Sequence, residues 1–85
     1  MSAMNHNQEE VEKAVEHAEE TVYQAQMNTS SRQLQSAHMQ LTIAQQQISE
    51  FKQENPELSG DREIKRMEEH LRHLREAEEA VQQND

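Results

Sequence analysis

The chain has 85 residues, of which 32% are hydrophobic, and 17 acidic against 8 basic side chains give it a net charge of −9. This length suits one domain, and the negative charge disfavours nucleic acid and anionic membranes as direct partners. The absence of cysteine excludes disulfides and thiolate chemistry.

The distribution of apolar residues predicts a cytoplasmic helical protein. No apolar run reaches the roughly 18–20 residues of a membrane span, and residues 1–8 are polar, unlike a signal peptide. Gly60 and Pro56 are the only residues of their kind, and Tyr23 and Phe51 are the only aromatic ones, which favours helix over strand. We therefore expect residues 1–85 to form a single all-α domain.

The first helix is predicted over residues 8–27, with Asn5 or Asn7 as its N-cap. Its apolar residues repeat at helical spacing and comprise Val11, Ala14, Val15, Ala18, Val22 and Ala25. Its acidic side carries Glu12, Glu16, Glu19 and Glu20. This acidic side is either a solvated face or a docking surface for a protein partner.

A break is predicted where the apolar pattern changes phase. Ala25 and Leu34 are nine residues apart, and at about 100° per residue one straight helix would place them on opposite sides. Residues 28–31 are Asn, Thr, Ser and Ser, which favour helix caps over helix interiors. The pattern leaves open whether this segment forms a turn or a kink.

The second helix is predicted over residues 31–53. Its apolar stripe comprises Leu34, Ala37, Leu41, Ala44, Ile48 and Phe51. Met39 and Ile43 lie outside that stripe but on one face, because they are four residues apart. Either this helix lies between two neighbours of its own chain, or its second apolar face contacts a partner chain.

A loop around Pro56 and Gly60 separates the second helix from a third, predicted over residues 61–82 with Ser59 or Asp61 as its cap. Gly60 permits a positive φ there. The apolar stripe of the third helix comprises Ile64, Met67, Leu71, Leu74 and Val81, and Glu78 interrupts it. Together the three segments predict a small antiparallel three-helix bundle, or alternatively a long helical hairpin with a kinked first arm, possibly dimeric.

The histidines of the third helix are the only candidate metal ligands. His70 and His73 share one helical face with Glu69 and Glu76 nearby, but two ligands on one helix do not complete a metal site. No serine has a histidine at an informative spacing, and no glycine-rich phosphate loop is present. We expect a protein without catalytic residues, cofactor or metal, and not an enzyme.

A family likeness extends over about residues 14–81. The residues that carry it are Ala37, His38, Met39, Gln40, Leu41, Ala44, Ile48 and Phe51, then residues 62–67 with Leu71 and Leu74. In these residues the chain resembles a family of small, uncharacterised helical proteins from spore-forming bacilli. The resemblance implies a bacterial helical protein and no assigned activity.

The expected function is that of a non-catalytic protein–protein interaction or regulatory module. Its partner surface would combine Met39 and Ile43 with Glu12, Glu16, Glu19 and Glu20. A homodimer is also predicted, because the basic side chains on the third helix of one copy can face the acidic first helix of a second copy. The alternatives are a divalent-metal-binding helical protein that uses His70 and His73, and an acidic nucleic-acid mimic that binds a basic protein.

Overall fold

The chain folds into helices that pack side by side. The computed structural model describes residues 7–83, and within this range it contains α1 (Gln8–Met27), α2 (Ser31–Glu54), a single 3-10 turn (Pro56–Leu58) and α3 (Arg62–Gln83). Each of these three α-helices packs against the other two. The predicted all-α three-helix bundle is confirmed, and each helix limit agrees with the sequence-based expectation to within one residue.

The corner between α1 and α2 is a tight turn and not a kink. Helix α1 ends with Asn28 in an extended conformation, and the Asn28 amide donates to the Gln24 carbonyl at 2.9 Å. Helix α2 begins after Ser30, whose hydroxyl accepts from the Gln33 amide at 3.2 Å. Because both exposed helix ends are capped within three residues, the chain reverses without glycine or proline.

Side-chain contacts between α2 and α3 show the relative direction of these two helices. Lys52 Nζ lies 2.7 Å from Glu68 Oε2, and Arg75 donates to Gln45 Oε1 further along the same two helices. Later residues of α3 thus meet earlier residues of α2, which makes α2 and α3 antiparallel. The chain runs up, down and up again, so the long hairpin alternative is not observed.

The starts of α1 and α3 are capped as the sequence predicts. Asn7 Oδ1 accepts from the Glu10 amide at 2.8 Å, and Asp61 Oδ2 accepts from the Glu63 amide at 3.1 Å. A side-chain acceptor at this position satisfies an amide that has no partner inside the helix. The other candidate cap, Asn5, lies outside the described residues.

One continuous core is built from the inner faces of all three helices. Its buried hydrophobic members among residues 7–83 are Val11, Val15, Ala18, Val22, Ala25, Ala37, Leu41, Ala44, Ile48, Phe51, Ile64, Met67, Leu71 and Leu74. Ala14, Leu34 and Ala77 pack at its margin. Apart from Val81, which is half-buried near the end of α3 and outside this core, the apolar stripes predicted from the sequence face the core, which confirms the phase change between α1 and α2 as a change of helix.

Glu78 differs from the sequence-based expectation. It was expected to interrupt the apolar stripe of α3, yet its side chain is only 3% exposed and continues that stripe beyond Leu74. The spacing of four residues from Leu74 puts Glu78 on the inner face of the helix. Position on the helix, and not polarity, therefore decides its burial.

The loop glycine does not adopt the positive φ that glycine permits at this position. No glycine among the described residues has a positive φ, so Gly60 does not use the conformational freedom that the sequence suggested. A Cβ built on Gly60 would meet nothing within 4 Å. The position is therefore compatible with an ordinary side chain.

Gly60→Ala is expected to raise the free energy of unfolding by about 0.4–1 kcal/mol, because alanine restricts the unfolded chain without strain in the folded one. Urea unfolding followed by circular dichroism measures this change. A loss of stability would contradict the backbone conformation described for Gly60.

Among the helices of residues 7–83, none combines the length and apolar character needed to cross a bilayer.

Candidate protein interaction surface

Two large apolar side chains lie together on the outside of α2. Met39 is 58% exposed and Ile43 is 38% exposed, and both point away from the buried stripe that contains Leu41 and Ala44. Neither α1 nor α3 covers this outer face. Helix α2 thus lies between two neighbours, α1 and α3, but it contacts both through its inner face and leaves Met39 and Ile43 exposed.

Ile43 also borders a shallow groove between α1 and α2. The groove has a volume of 420 Å³ and is lined by Glu10, Lys13, Ala14, His17, Gln40, Ile43 and Gln47. Ala14 is small and partly buried, so it leaves space beside Ile43. An apolar side chain of a partner can enter the groove at this point.

A straight row of side chains continues Met39 and Ile43 toward both ends of α2. We call this row the outer stripe and define it as Arg32, Ser36, Met39, Ile43, Gln46 and Glu50. Its spacings alternate between four and three residues, which keeps the members on one helical face. Within the stripe, Gln46 donates to Glu50 Oε2 at 3.4 Å.

The predicted acidic residues of α1 do not adjoin the outer stripe. Glu12 and Glu16 line a different groove, of 280 Å³, which α1 forms with α3 beside Arg66. Glu20 is exposed on the outside of α1. Ile43 borders the groove between α1 and α2, whereas Glu12 and Glu16 border the groove between α1 and α3. The two halves of the predicted partner surface therefore lie on different sides of α1.

Glu19 of α1 contacts a histidine of α3. Its Oε2 lies 2.9 Å from Nε2 of His70, and both side chains are partly buried. This contact joins α1 to α3. It leaves Glu19 less available to a partner than its exposed neighbours Glu16 and Glu20.

The two histidines of α3 do not converge on one point. His70 faces Glu19 of α1, whereas His73 is exposed on the outer side of α3. Over residues 7–83, no group of three or more histidine, cysteine, aspartate or glutamate side chains is placed to hold a metal ion.

A basic groove between α2 and α3 was not anticipated from the sequence. It has a volume of 530 Å³, and its charged side chains include Lys52, Arg72 and Arg75. Lys52 pairs with Glu68, and Arg75 donates to Gln45. Two of the three cations, Lys52 and Arg75, thus already make contacts that join α2 to α3. These contacts stabilise the packing of the two helices. Only the antiparallel packing of α2 and α3 brings the three together.

Comparison with known proteins identified no relative of this chain. No protein-family model, no curated protein and no solved structure matches this chain. The resemblance to the proteins of spore-forming bacilli therefore stays a prediction.

Proposed function

We propose that this protein is a non-catalytic interaction or regulatory module that binds a protein partner through Met39 and Ile43. The observation that carries the proposal is the exposure of both side chains on one face of α2. The core is complete without them, because the inner face of α2 supplies its own buried residues. Two adjacent large apolar side chains without a structural role are typical of an interaction site.

The geometry suits a helical partner. The outer stripe runs along one face of α2, and the α1/α2 groove lies beside Ile43. Such a surface receives apolar side chains that repeat every three to four residues on a second helix. Polar residues at Ser36 and Gln46 flank the apolar pair, which gives the arrangement of apolar centre and polar rim common in interfaces.

The paired change Met39→Gln and Ile43→Gln is expected to abolish capture of the partner from an extract of the cells that make the protein. Both residues are at the surface, so stability should change by no more than about 0.5 kcal/mol per position. Affinity capture followed by mass spectrometry measures the first effect, and urea unfolding measures the second.

Ser49→Gln is the matched control for this experiment. Ser49 is exposed on the same helix but borders the basic groove on the α3 side. The control variant should capture the same proteins as the original chain. Equal capture by the Met39/Ile43 variant and the original chain would contradict the proposal.

A second candidate function uses the acidic side of α1. Glu12, Glu16 and Glu20 are exposed at intervals of four residues, and such a row of carboxylates can occupy a basic protein in place of nucleic acid. Binding by this row should weaken steeply between low and high salt, whereas an apolar contact through Met39 and Ile43 should not. A salt series on the captured complex separates the two candidates.

A further inference from the structure

The outer stripe of α2 is self-complementary when one copy is reversed. Met39 and Ile43 are each two positions from Leu41, Ser36 and Gln46 are each five positions from it, and Arg32 and Glu50 are each nine positions from it. An antiparallel twofold pairing centred at the level of Leu41 therefore matches apolar with apolar, polar with polar, and cation with anion.

All members of the stripe lie on the side of α2 opposite the core. At about 100° per residue, Arg32, Met39, Ile43 and Glu50 fall within an arc of about 40°. Leu41, which marks the centre of the pattern along the helix, points inward and is buried. The twofold pattern therefore belongs to the outer face of α2, on which Ser36 and Glu50 are half-buried and the other four members are exposed.

We infer that the partner of the outer stripe is a second copy of this chain, bound as an antiparallel dimer of α2 helices. This inference rests on the proposed function and names the partner of the same surface. Met39 of one protomer contacts Ile43 of the other, and Arg32 pairs with the partner copy's Glu50. Each contact occurs twice because the arrangement has a twofold axis.

The charged pairs lie within reach at the ends of the interface. Nine residues of α-helix place Arg32 and Glu50 about 13 Å from the centre of the stripe. At the crossing angle of about 20° common in helical bundles, the two helices diverge by only about 5 Å at that distance. The long side chain of arginine covers this separation.

The position of Arg32 supports a role outside its own helix. Arg32 lies in the first turn of α2, where the helix dipole favours an anion and disfavours a cation. Its charge therefore does not stabilise α2 locally. Opposite Glu50 of another copy, the same charge gains a favourable partner and selects the antiparallel orientation.

The dimer predicted from the charges of α1 and α3 uses other surfaces. Glu16 of α1 borders a groove beside Arg66 of α3, and Arg72 borders the basic groove. Neither groove includes Met39 or Ile43, so substitutions in the outer stripe and in α3 distinguish the two arrangements.

Two single charge reversals test the inference. Arg32→Glu and Glu50→Arg each place like charges opposite each other at both ends of the interface, so each should raise the dissociation constant of the dimer about tenfold. A 1:1 mixture of the two variants restores opposite charges at both ends. The mixture should dimerise with an affinity within about threefold of the original chain.

Sedimentation velocity at protein concentrations up to about 1 mM measures these affinities, because such concentrations populate weak dimers. Arg32→Glu puts an anion in the first turn of α2 and should not destabilise the helix, which circular dichroism verifies. Arg72→Glu, in the basic groove, is the control and should leave the dimer unchanged.

The outcomes separate the dimer from the broader proposal. If the original chain stays monomeric at 1 mM while Met39→Gln with Ile43→Gln still abolishes partner capture, the dimer is overturned and the proposed function stands. A dimer that responds to Arg72→Glu and not to the outer-stripe reversals overturns the antiparallel arrangement. If the original chain is monomeric and capture is unaffected, both proposals fail.

Discussion

Leu41→Ala is expected to lower the free energy of unfolding by about 2–5 kcal/mol. Leu41 is 1% exposed and lies on the inner face of α2, the helix that packs against both others. Truncation removes apolar contact and leaves a cavity that the neighbouring Ala37 and Ala44 are too small to fill. Because small domains are stable by only about 5–15 kcal/mol, the loss is a large part of the total.

Ile43→Ala is the matched control for Leu41→Ala. It lies on the same helix two residues further on, but its side chain is on the outer face, so we expect a loss below about 1 kcal/mol. Urea unfolding followed by circular dichroism, at a protein concentration where the chain is monomeric, compares the two variants. Equal losses would contradict the assignment of the inner and outer faces of α2.

Glu78→Leu is expected to raise the free energy of unfolding by about 1–3 kcal/mol. The Glu78 carboxylate is buried, and its Oε1 has no hydrogen-bond partner among the described residues. The imidazole of His38 lies nearby, with its Nδ1 3.4 Å from Glu78 Oε1 on a side chain that is 67% exposed. Such an exposed imidazole compensates poorly for removing a carboxylate from water.

Leucine at position 78 would extend the buried stripe of α3 by one more apolar residue. The expected gain corresponds to a rise in the melting temperature of about 5–20 °C for a chain of this size, which thermal unfolding measures directly. Glu78→Gln removes the charge but keeps the shape, so its gain should be smaller.

Glu79→Leu is the control, because Glu79 is exposed on the adjacent position. It should change stability by less than about 0.5 kcal/mol. If Glu78→Leu proves less stable than Glu79→Leu, the Glu78 carboxylate makes a favourable contact that its surroundings do not suggest.

The helices and their inner faces could be predicted from the sequence because their determinants are local. The spacing from Val11 to Ala25 and from Leu34 to Phe51 specifies which side of each helix is apolar. The side chains of Asn7, Ser30 and Asp61 supply the caps at the helix starts. Each of these signals acts within about four residues, so none depends on how the helices meet.

Glu78 and Gly60 show where such local signals stop. The spacing from Leu74 places Glu78 on the inner face of α3, but only the packing of the three helices shows that a carboxylate at this position is buried. Glycine at position 60 permits a positive φ without requiring one. In both cases the outcome depends on the path of the neighbouring segments, which the residue itself does not encode.

By itself, the sequence determined three amphipathic helices, a break at residues 28–31 and the presence of a second apolar face on α2. The tertiary structure decided that Met39 and Ile43 stay uncovered, that Glu19 turns toward His70, and that α1 separates the acidic residues from the outer stripe. Helical periodicity relates residues on one helix, whereas the rotation of one helix against another depends on side chains distant in sequence. Which faces of the bundle remain open to a partner is therefore a property of the packed molecule.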